Sequence, residues 1–319
     1  FVLTAGGGSN GRIDANTSAK GIKGVTTVTI GGGTFTIDSA DDAVHSNGGI
    51  VVNGGAFAIA TGDDGMHADA TLQVNGGDIK ITKSYEGLES AVITINDGTI
   101  RIVSSDDGLN GAGGNDGSGI APGPGFGGAR GARPPGQDTF AAAAKYWLYI
   151  RGGYIVIEAV GDGIDINGSI EMTNGVVIVN GPIVRMNSAL DYDATFKLTG
   201  GFLVAAGSSG MAQAPDDSST QYALLLNTTT TQRAGDLVHI RSSDGKSLLT
   251  FAPTKEYQSI AFSSPELVKG TTYEVYFGGS STGTVKDGVY QNGTYSPGTK
   301  NTSFTTSSVV TRIGVTRFR

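Results

Sequence analysis

The sequence predicts an all-β fold: a right-handed parallel β-helix with coils of about 22 residues, followed by a β-rich C-terminal region. Three observations predict it. Glycines recur at a fixed step ahead of short β runs: Gly33, Gly55, Gly77, Gly98, Gly153 and Gly175, spaced 22, 22, 21, 55 and 22 residues apart. Helix signals are almost absent, the best being "TFAAAAKYW" from Thr139 to Trp147. Runs such as "TTVTI", "VVIVN" and "YEVYF" read as strands. A period near 22 built from β runs alone is one coil of a solenoid. Leucine-rich repeats share the length but need a Leu ladder ending in Asn, which this sequence lacks.

Each coil reads as three strands. Between Thr71 and Ser90 they are "TLQVN", "DIKIT" and "EGLES". Alternation turns Leu72 and Val74, then Ile79 and Ile81, then Leu88 inward. Gly-Gly makes the turn between the first two strands, preceded by Asn53, Asn75 and Asn96 in successive coils. These asparagines either bond to one another along the solenoid or simply tolerate the turn dihedrals. The repeats span residues 1–210, with the Gly- and Pro-rich stretch 111–145 inserted in the long step. Beyond it, residues 211–319 form a β-rich region packed on the solenoid or capping its end, since uncovered strand edges invite association. There "LVHIRSSDGKSLLTF" reads as a hairpin with a polar turn and "TYEVYF" as a strand.

Composition narrows the function. Gly is 52 of 319 residues without a Gly-X-Y period, so collagen is excluded. The formal charge is −7 with no basic stripe, which argues against nucleic acid. No apolar run is long enough for a transmembrane helix, and no membrane insertion is expected. No signal peptide is read, as expected of a mature or trimmed chain. Cysteine is absent, which removes disulfides, thiolate metal sites and cysteine nucleophiles.

A 22-residue period stacks equivalent residues into columns. The first column is Ala19, Asp41, Asp63, Tyr85, Asp106, Gly161; the second is Lys20, Asp42, Asp64, Glu86, Asp107, Asp162. The third is Lys23, His45, His67, Glu89, Asn110, Asp165, and a fourth holds Asn47, Asp69 and Asn167. The first three contain ten of the 29 acids. Carboxylates one coil apart repel by roughly 3 kcal/mol per pair at an effective dielectric near 20. They need a countercharge or raised pKa values, and Lys20 serves only one end. Carboxylates, Asn and backbone carbonyls suit Ca²⁺. The candidate ligands are Asp41, Asp42, Asp63, Asp64, Glu86, Glu89, Asp106, Asp107, Asn110, Asp162 and Asp165; a hydrated or protonated ladder without an ion is the alternative. His45 and His67 could be metal ligands, donors behind the ligands, or part of a sugar-binding face. The insertion carries Phe126, Arg130, Arg133 and Phe140 and leaves the solenoid beside the columns. It is either a flap bringing arginines to uronates and aromatics to sugar rings, or a surface loop. His45, His67, Asp69, Arg130 and Arg133 are the candidate ligand contacts.

The coils with "DDGMH" and "DDGLN", together with "FAPTKEYQSIAFSSPELVKGTTYEVYFGGS", resemble a family of secreted clostridial-type carbohydrate-binding parallel β-helices. That family is similar to calcium-dependent pectate lyases. The resemblance implies binding of cellulose-like and pectic polysaccharides with bound Ca²⁺, outside or on the surface of a bacterial cell. In the related lyases an Asp-Asp-x-x-Asp run and an Asp of the neighbouring coil hold calcium. Here Asp63 and Asp64 match the pair, with Asp41 and Asp42 one coil away, but His67 replaces the third acid. His45 and Asn110 make the same replacement, and "DGIDIN" keeps Asp162 and Asp165 with Gly161 in the first place. No coil carries the whole pattern, which counts against lyase chemistry more than against calcium. A lyase also needs a base. Lys20, Lys23, Lys80, Lys83 and Arg101 are available, and Lys20 and Lys23 lie among acids that raise their pKa. The leading reading is a non-catalytic polysaccharide-binding protein. The alternatives are a pectate-lyase-like enzyme and an adhesive protein self-associating through its solenoid ends.

Overall fold

The computed structural model describes residues 1–14, 17–112 and 145–314. The chain winds as a parallel β-solenoid of about seven coils at the predicted spacing, and every described element is a strand. No helix among the described residues is long and apolar enough to cross a membrane. Most of the helical candidate, residues 139–144, lies outside the described residues; its last residue, Trp147, instead opens the strand Trp147–Ile150.

Three strand columns run along the solenoid. One contains Thr34–Ser39, Ala56–Thr61, Asp78–Lys83, Thr99–Ser104, Tyr154–Ala159, Val176–Asn180 and Phe202–Gly207. A second, of short strands, runs from Ile22–Gly24 through Val44–Ser46 to Leu109–Gly111, Ile164–Ile166 and Leu190–Tyr192. The third includes Thr27–Ile30, Gly49–Val52, Trp147–Ile150, Ser169–Met172 and Phe196–Leu198. Met66–Val74 and Leu88–Ile95 are long enough to serve both the second and third columns. The inward residues predicted from alternation are all buried: Leu72, Val74, Ile79, Ile81 and Leu88. Each such side chain contributes about 1.5–3 kcal/mol by leaving water.

The 22-residue step has a backbone cause. Gly55, Gly77 and Gly98 adopt φ of 111°, 108° and 115°, in the left-handed half of dihedral space. A Cβ on any of them would stand 2.9–3.0 Å from the carbonyl of the stacked glycine one coil earlier. Beside them the asparagines form a ladder: Asn75 Nδ2 donates to Asn53 Oδ1 and Asn96 Nδ2 to Asn75 Oδ1, both at 2.7 Å. Of the two readings open in the sequence, stacking is the one the side chains adopt.

The first column changes character along its length. "TFTID" alternates because its outer face meets water. "VVIVN" and "FLVAA" are continuously apolar because both faces are covered. A separate sheet covers them: Val238–Ser242 pairs antiparallel with Ser247–Phe251, the predicted hairpin, and with Thr272–Ser281, which holds "TYEVYF". Val156, Ile178 and Val204 of the solenoid share one core with Ile240, Phe251, Tyr273 and Val275 of that sheet. Tyr257–Ser263 joins the last solenoid strand antiparallel, followed by Ala223–Gln232 and Val310–Ile313. Ala214, Ala223, Leu225 and Val310 close the solenoid core at this end.

Candidate functional site

The acidic columns arise at the corner between the first and second strand columns. The second-column register pairs Lys23 with His45, His45 with His67, His67 with Glu89, Glu89 with Asn110, and Asn110 with Asp165. The third acidic column is therefore continuous, as the period requires. It runs one coil further than the sequence reading, because Asp165 pairs with Asp191. The step there is 26 residues, which hid it. The available signal was the pattern apolar–Asp–apolar, "IDI" repeated as "LDY".

The second acidic column has a structural role that periodicity alone did not show. Its carboxylates accept backbone amides from the next coil: Asp64 N donates to Asp42 Oδ1 at 3.3 Å, Glu86 N to Asp64 Oδ1 at 3.1 Å, and Asp162 N to Asp107 Oδ1 at 2.6 Å. Ser188 N donates to Asp162 Oδ1 in the same way. Each bond holds a coil corner to its neighbour and stabilises the charged carboxylate.

Charge compensation differs along the ladder. At the N-terminal end Lys20 Nζ reaches Asp41 Oδ1 at 2.7 Å and Asp42 Oδ2 at 2.5 Å. This is the ion pair expected at the end of the ladder, and although burial opposes it, these two acids raise the pKa of Lys20. His45 Nδ1 donates to Asp42 Oδ2 at 2.7 Å. Burial pushes Asp42 up, but the His45 bond and the charges of Lys20 and His67 bring it down to about 2. His67 Nδ1 lies 3.1 Å from Asp64 Oδ2 and 2.9 Å from Glu89 Oε2. Burial would lower its pKa, yet Asp64 and Glu89 raise it to about 11. His67 is thus an internal countercharge. Asp69 approaches its other nitrogen at 3.5 Å.

Towards the C-terminal end no Lys, Arg or His among the described residues pairs with the acids. Burial and the surrounding carboxylates Asp165, Asp106 and Asp162 push Asp107 up. Burial and neighbouring acids raise Asp162 and Asp165 to about 7 each, against amide and side-chain hydrogen bonds that pull them down. Glu86 is pushed up by burial and by Asp64, Glu89 and Asp107, while Asn110 Nδ2 donates to its Oε2 at 2.6 Å. The expected choice between countercharge and raised pKa is met by both: Lys20 and His45 hold Asp42 down, the acids from Asp107 on are pushed up, and between them burial with Asp42, Asp63 and Glu89 pushes Asp64 up against its bond to His67.

The structure gathers most of the candidate ligands into four groups whose donor atoms lie within 4.8 Å of one another: Asp41–Asp42–Asp63, Asp42–His45–His67, Asp64–His67–Glu89 and Asp107–Asp162–Asp165. Glu86, Asp106 and Asn110 stand outside these groups. Arg130 and Arg133, with Phe126 and Phe140, lie outside the described residues. Among the candidate ligands, Glu89, through Oε1 and Oε2, and Asn110, through Oδ1, are buried with oxygens lacking a hydrogen-bond partner, as is the neighbouring Ser90 Oγ. His67 Nδ1 is near Glu89 Oε2 but without hydrogen-bond alignment.

Residues 1–65 match the model of a family described as carbohydrate-binding domain-containing protein. Over this stretch the chain is similar to that family. The match takes in Lys20, Asp41, Asp42, His45, Asp63 and Asp64, the charge-compensated end of the ladder. No curated protein and no solved structure matches the chain.

Proposed function

We propose that the protein is a non-catalytic polysaccharide-binding protein that holds Ca²⁺ at the C-terminal end of the acidic columns and uses it to bind acidic, pectin-type glycan outside or on the surface of a bacterial cell. The observation that carries this reading is the group Asp107, Asp162 and Asp165, whose oxygens lie within 4.8 Å of one another. Among the described residues no Lys, Arg or His pairs with these acids, and Asn110, stacked on Asp165, keeps a buried oxygen without a hydrogen-bond partner. An unpaired buried carboxylate is costly, and a bound cation removes the cost. The donors fit Ca²⁺: all are oxygens, from carboxylates and an amide. Asp107, Asp162 and Asp165 would hold it, with Asn110 beside them. Bound there, Ca²⁺ supplies a fixed positive charge for a uronate carboxylate. The similarity of residues 1–65 to a carbohydrate-binding family supports the glycan half of the reading.

Binding without lyase chemistry is favoured by where the candidate bases go. Lys20 is held by Asp41 and Asp42, Lys83 donates to Ser9 O, and Arg101 pairs with Asp287 at 2.9 Å. A raised Lys pKa makes a poorer base.

Calorimetric titration of Ca²⁺ into chelator-treated protein, paired with retention on polygalacturonate and swollen cellulose, tests the reading. Saturable uptake is expected, weakened at least about ten-fold in Asp165→Ala, with retention on polygalacturonate lost in chelator. Absence of Ca²⁺ uptake would sink the account of the group. Unsaturated products absorbing in the ultraviolet would move the protein to the lyases.

A further inference from the structure

The middle of the ladder holds a different donor set from its C-terminal end. His67 Nδ1 stands between two carboxylates, 3.1 Å from Asp64 Oδ2 and 2.9 Å from Glu89 Oε2. The three residues offer donor atoms within 4.8 Å of one another. All three side chains are buried, Asp64 and Glu89 completely. The His67 N–H is aligned on Asp64, and Glu89 accepts no hydrogen bond at either oxygen. Charge leaves the set unfinished as well. His67 carries at most one positive charge against two acids, with Asp42 and Asp63 close by, and burial and these acids still push Asp64 up.

The surroundings orient these donors in the way metal ligands are oriented. Asp64 Oδ1 is taken by the Glu86 amide at 3.1 Å, which leaves Oδ2 to face His67. The far ring nitrogen, His67 Nε2, lies 3.5 Å from Asp69 Oδ1. A carboxylate behind the second nitrogen fixes the tautomer and ring orientation of a metal-bound histidine. Ligands about 2.0 Å from a tetrahedral ion stand about 3.3 Å apart. Spacings of 2.9 and 3.1 Å therefore need little adjustment. An imidazole with two carboxylates suits Zn²⁺ and similar transition ions, whereas the all-oxygen group Asp107–Asp162–Asp165 suits Ca²⁺. The neighbouring group Asp42–His45–His67 is the weaker candidate, because Lys20 and His45 already hold Asp42.

We propose that Asp64, His67 and Glu89 form a transition-metal site of the Zn²⁺ type, separate from the Ca²⁺ group, that clamps one coil of the solenoid to the next. Asp64 and His67 belong to one coil and Glu89 to the following one. Zn²⁺ takes the Nδ1 lone pair, the proton of that nitrogen leaves to solvent, and the Nε2–H stays directed at Asp69. Glu89 and Asp165 are two coils apart in their column, roughly 10 Å, so the two ions share no ligand. The proposal is independent of the glycan-binding reading.

The test is Zn²⁺ titrated into the chelator-treated full chain, alone and with excess Ca²⁺ present. Stoichiometric Zn²⁺ uptake is expected to persist in Ca²⁺. Co²⁺ in its place is expected to give the visible absorption of a tetrahedral nitrogen–oxygen site. His67→Gln is expected to weaken Zn²⁺ at least about ten-fold with Ca²⁺ uptake retained, and Asp165→Ala to do the reverse. Asp69→Asn leaves the three ligands in place and is expected to weaken Zn²⁺ about ten-fold. A cooperative urea transition in each metal-free variant shows that it is folded. No Zn²⁺ uptake, uptake that neither His67→Gln nor Asp69→Asn weakens, or displacement of Zn²⁺ by an equal concentration of Ca²⁺ would each overturn the site. Zn²⁺ uptake without Ca²⁺ uptake would overturn the reading of Asp107, Asp162 and Asp165 and leave this site standing.

Discussion

The two ends of the acidic ladder share a repeat and solve opposite problems. At the N-terminal end, Asp41, Asp42 and Asp64 meet Lys20, His45 and His67, and these partners belong to the same columns as the acids. At the C-terminal end, Asp107, Asp162, Asp165 and Asp191 meet mainly one another. The backbone is the same at both ends: carboxylates accept the next coil's amide at Asp42 and Asp64 and again at Asp107 and Asp162. The amide bonds therefore explain the acids at Asp42, Asp64, Asp107 and Asp162, but neither Glu86, which accepts from the Asn110 side chain, nor why one end lacks countercharge. A repeat fixes where side chains stack; the identity of one residue per coil decides whether the stack is self-neutralised or open to a cation.

The largest contrast should come from removing the countercharge. Lys20→Ala leaves Asp42, almost wholly buried, with His45 as its direct partner. A loss of about 3 kcal/mol in urea unfolding is expected. A loss below about 0.5 kcal/mol would mean that the N-terminal end is not held by this pair. At the other end the same operation has the opposite sign. Asp165→Asn removes one of several crowded acids and should stabilise the chelator-treated protein by about 2 kcal/mol at pH 8, allowing for partial exposure. The pH dependence follows from its raised value. A carboxyl at about 7 in the fold and 3.8 unfolded binds more protons when folded, so stability is full below 3.8 and is lost as pH rises through 7. The gain from Asp165→Asn should therefore vanish near pH 4 and grow towards pH 8, and Ca²⁺ should reverse it. A pH-independent difference would break the comparison between the two ends. The smallest effect lies outside the ladder: Asn75→Ala, which cuts two side-chain bonds between coils, should cost about 1 kcal/mol in either metal state.

Much of this was legible in the chain. The glycine step predicted the coils because only glycine fits a positive φ against the preceding coil's carbonyl. Alternation identified the inward residues. The columns were correct as far as Asp165 and stopped there because four extra residues shift the step to Asp191. The strand Trp147–Ile150 was not legible: the residues before it suggested a helix, and its neighbours in space lie 55 and 22 residues away in sequence. The run "VVIVN" marked a strand but not that a separate sheet covers its outer face.

By itself, then, the sequence determined the solenoid and its columns, because a period and an alternation are local properties that any coil obeys. Only the tertiary structure decided that His67 is a countercharge, that Asn110 keeps an unpartnered oxygen, and that Asp107, Asp162 and Asp165 converge. Those properties depend on which atoms meet across coils at distances of 2.5–5 Å. No order of residues along the chain specifies such meetings until it is folded.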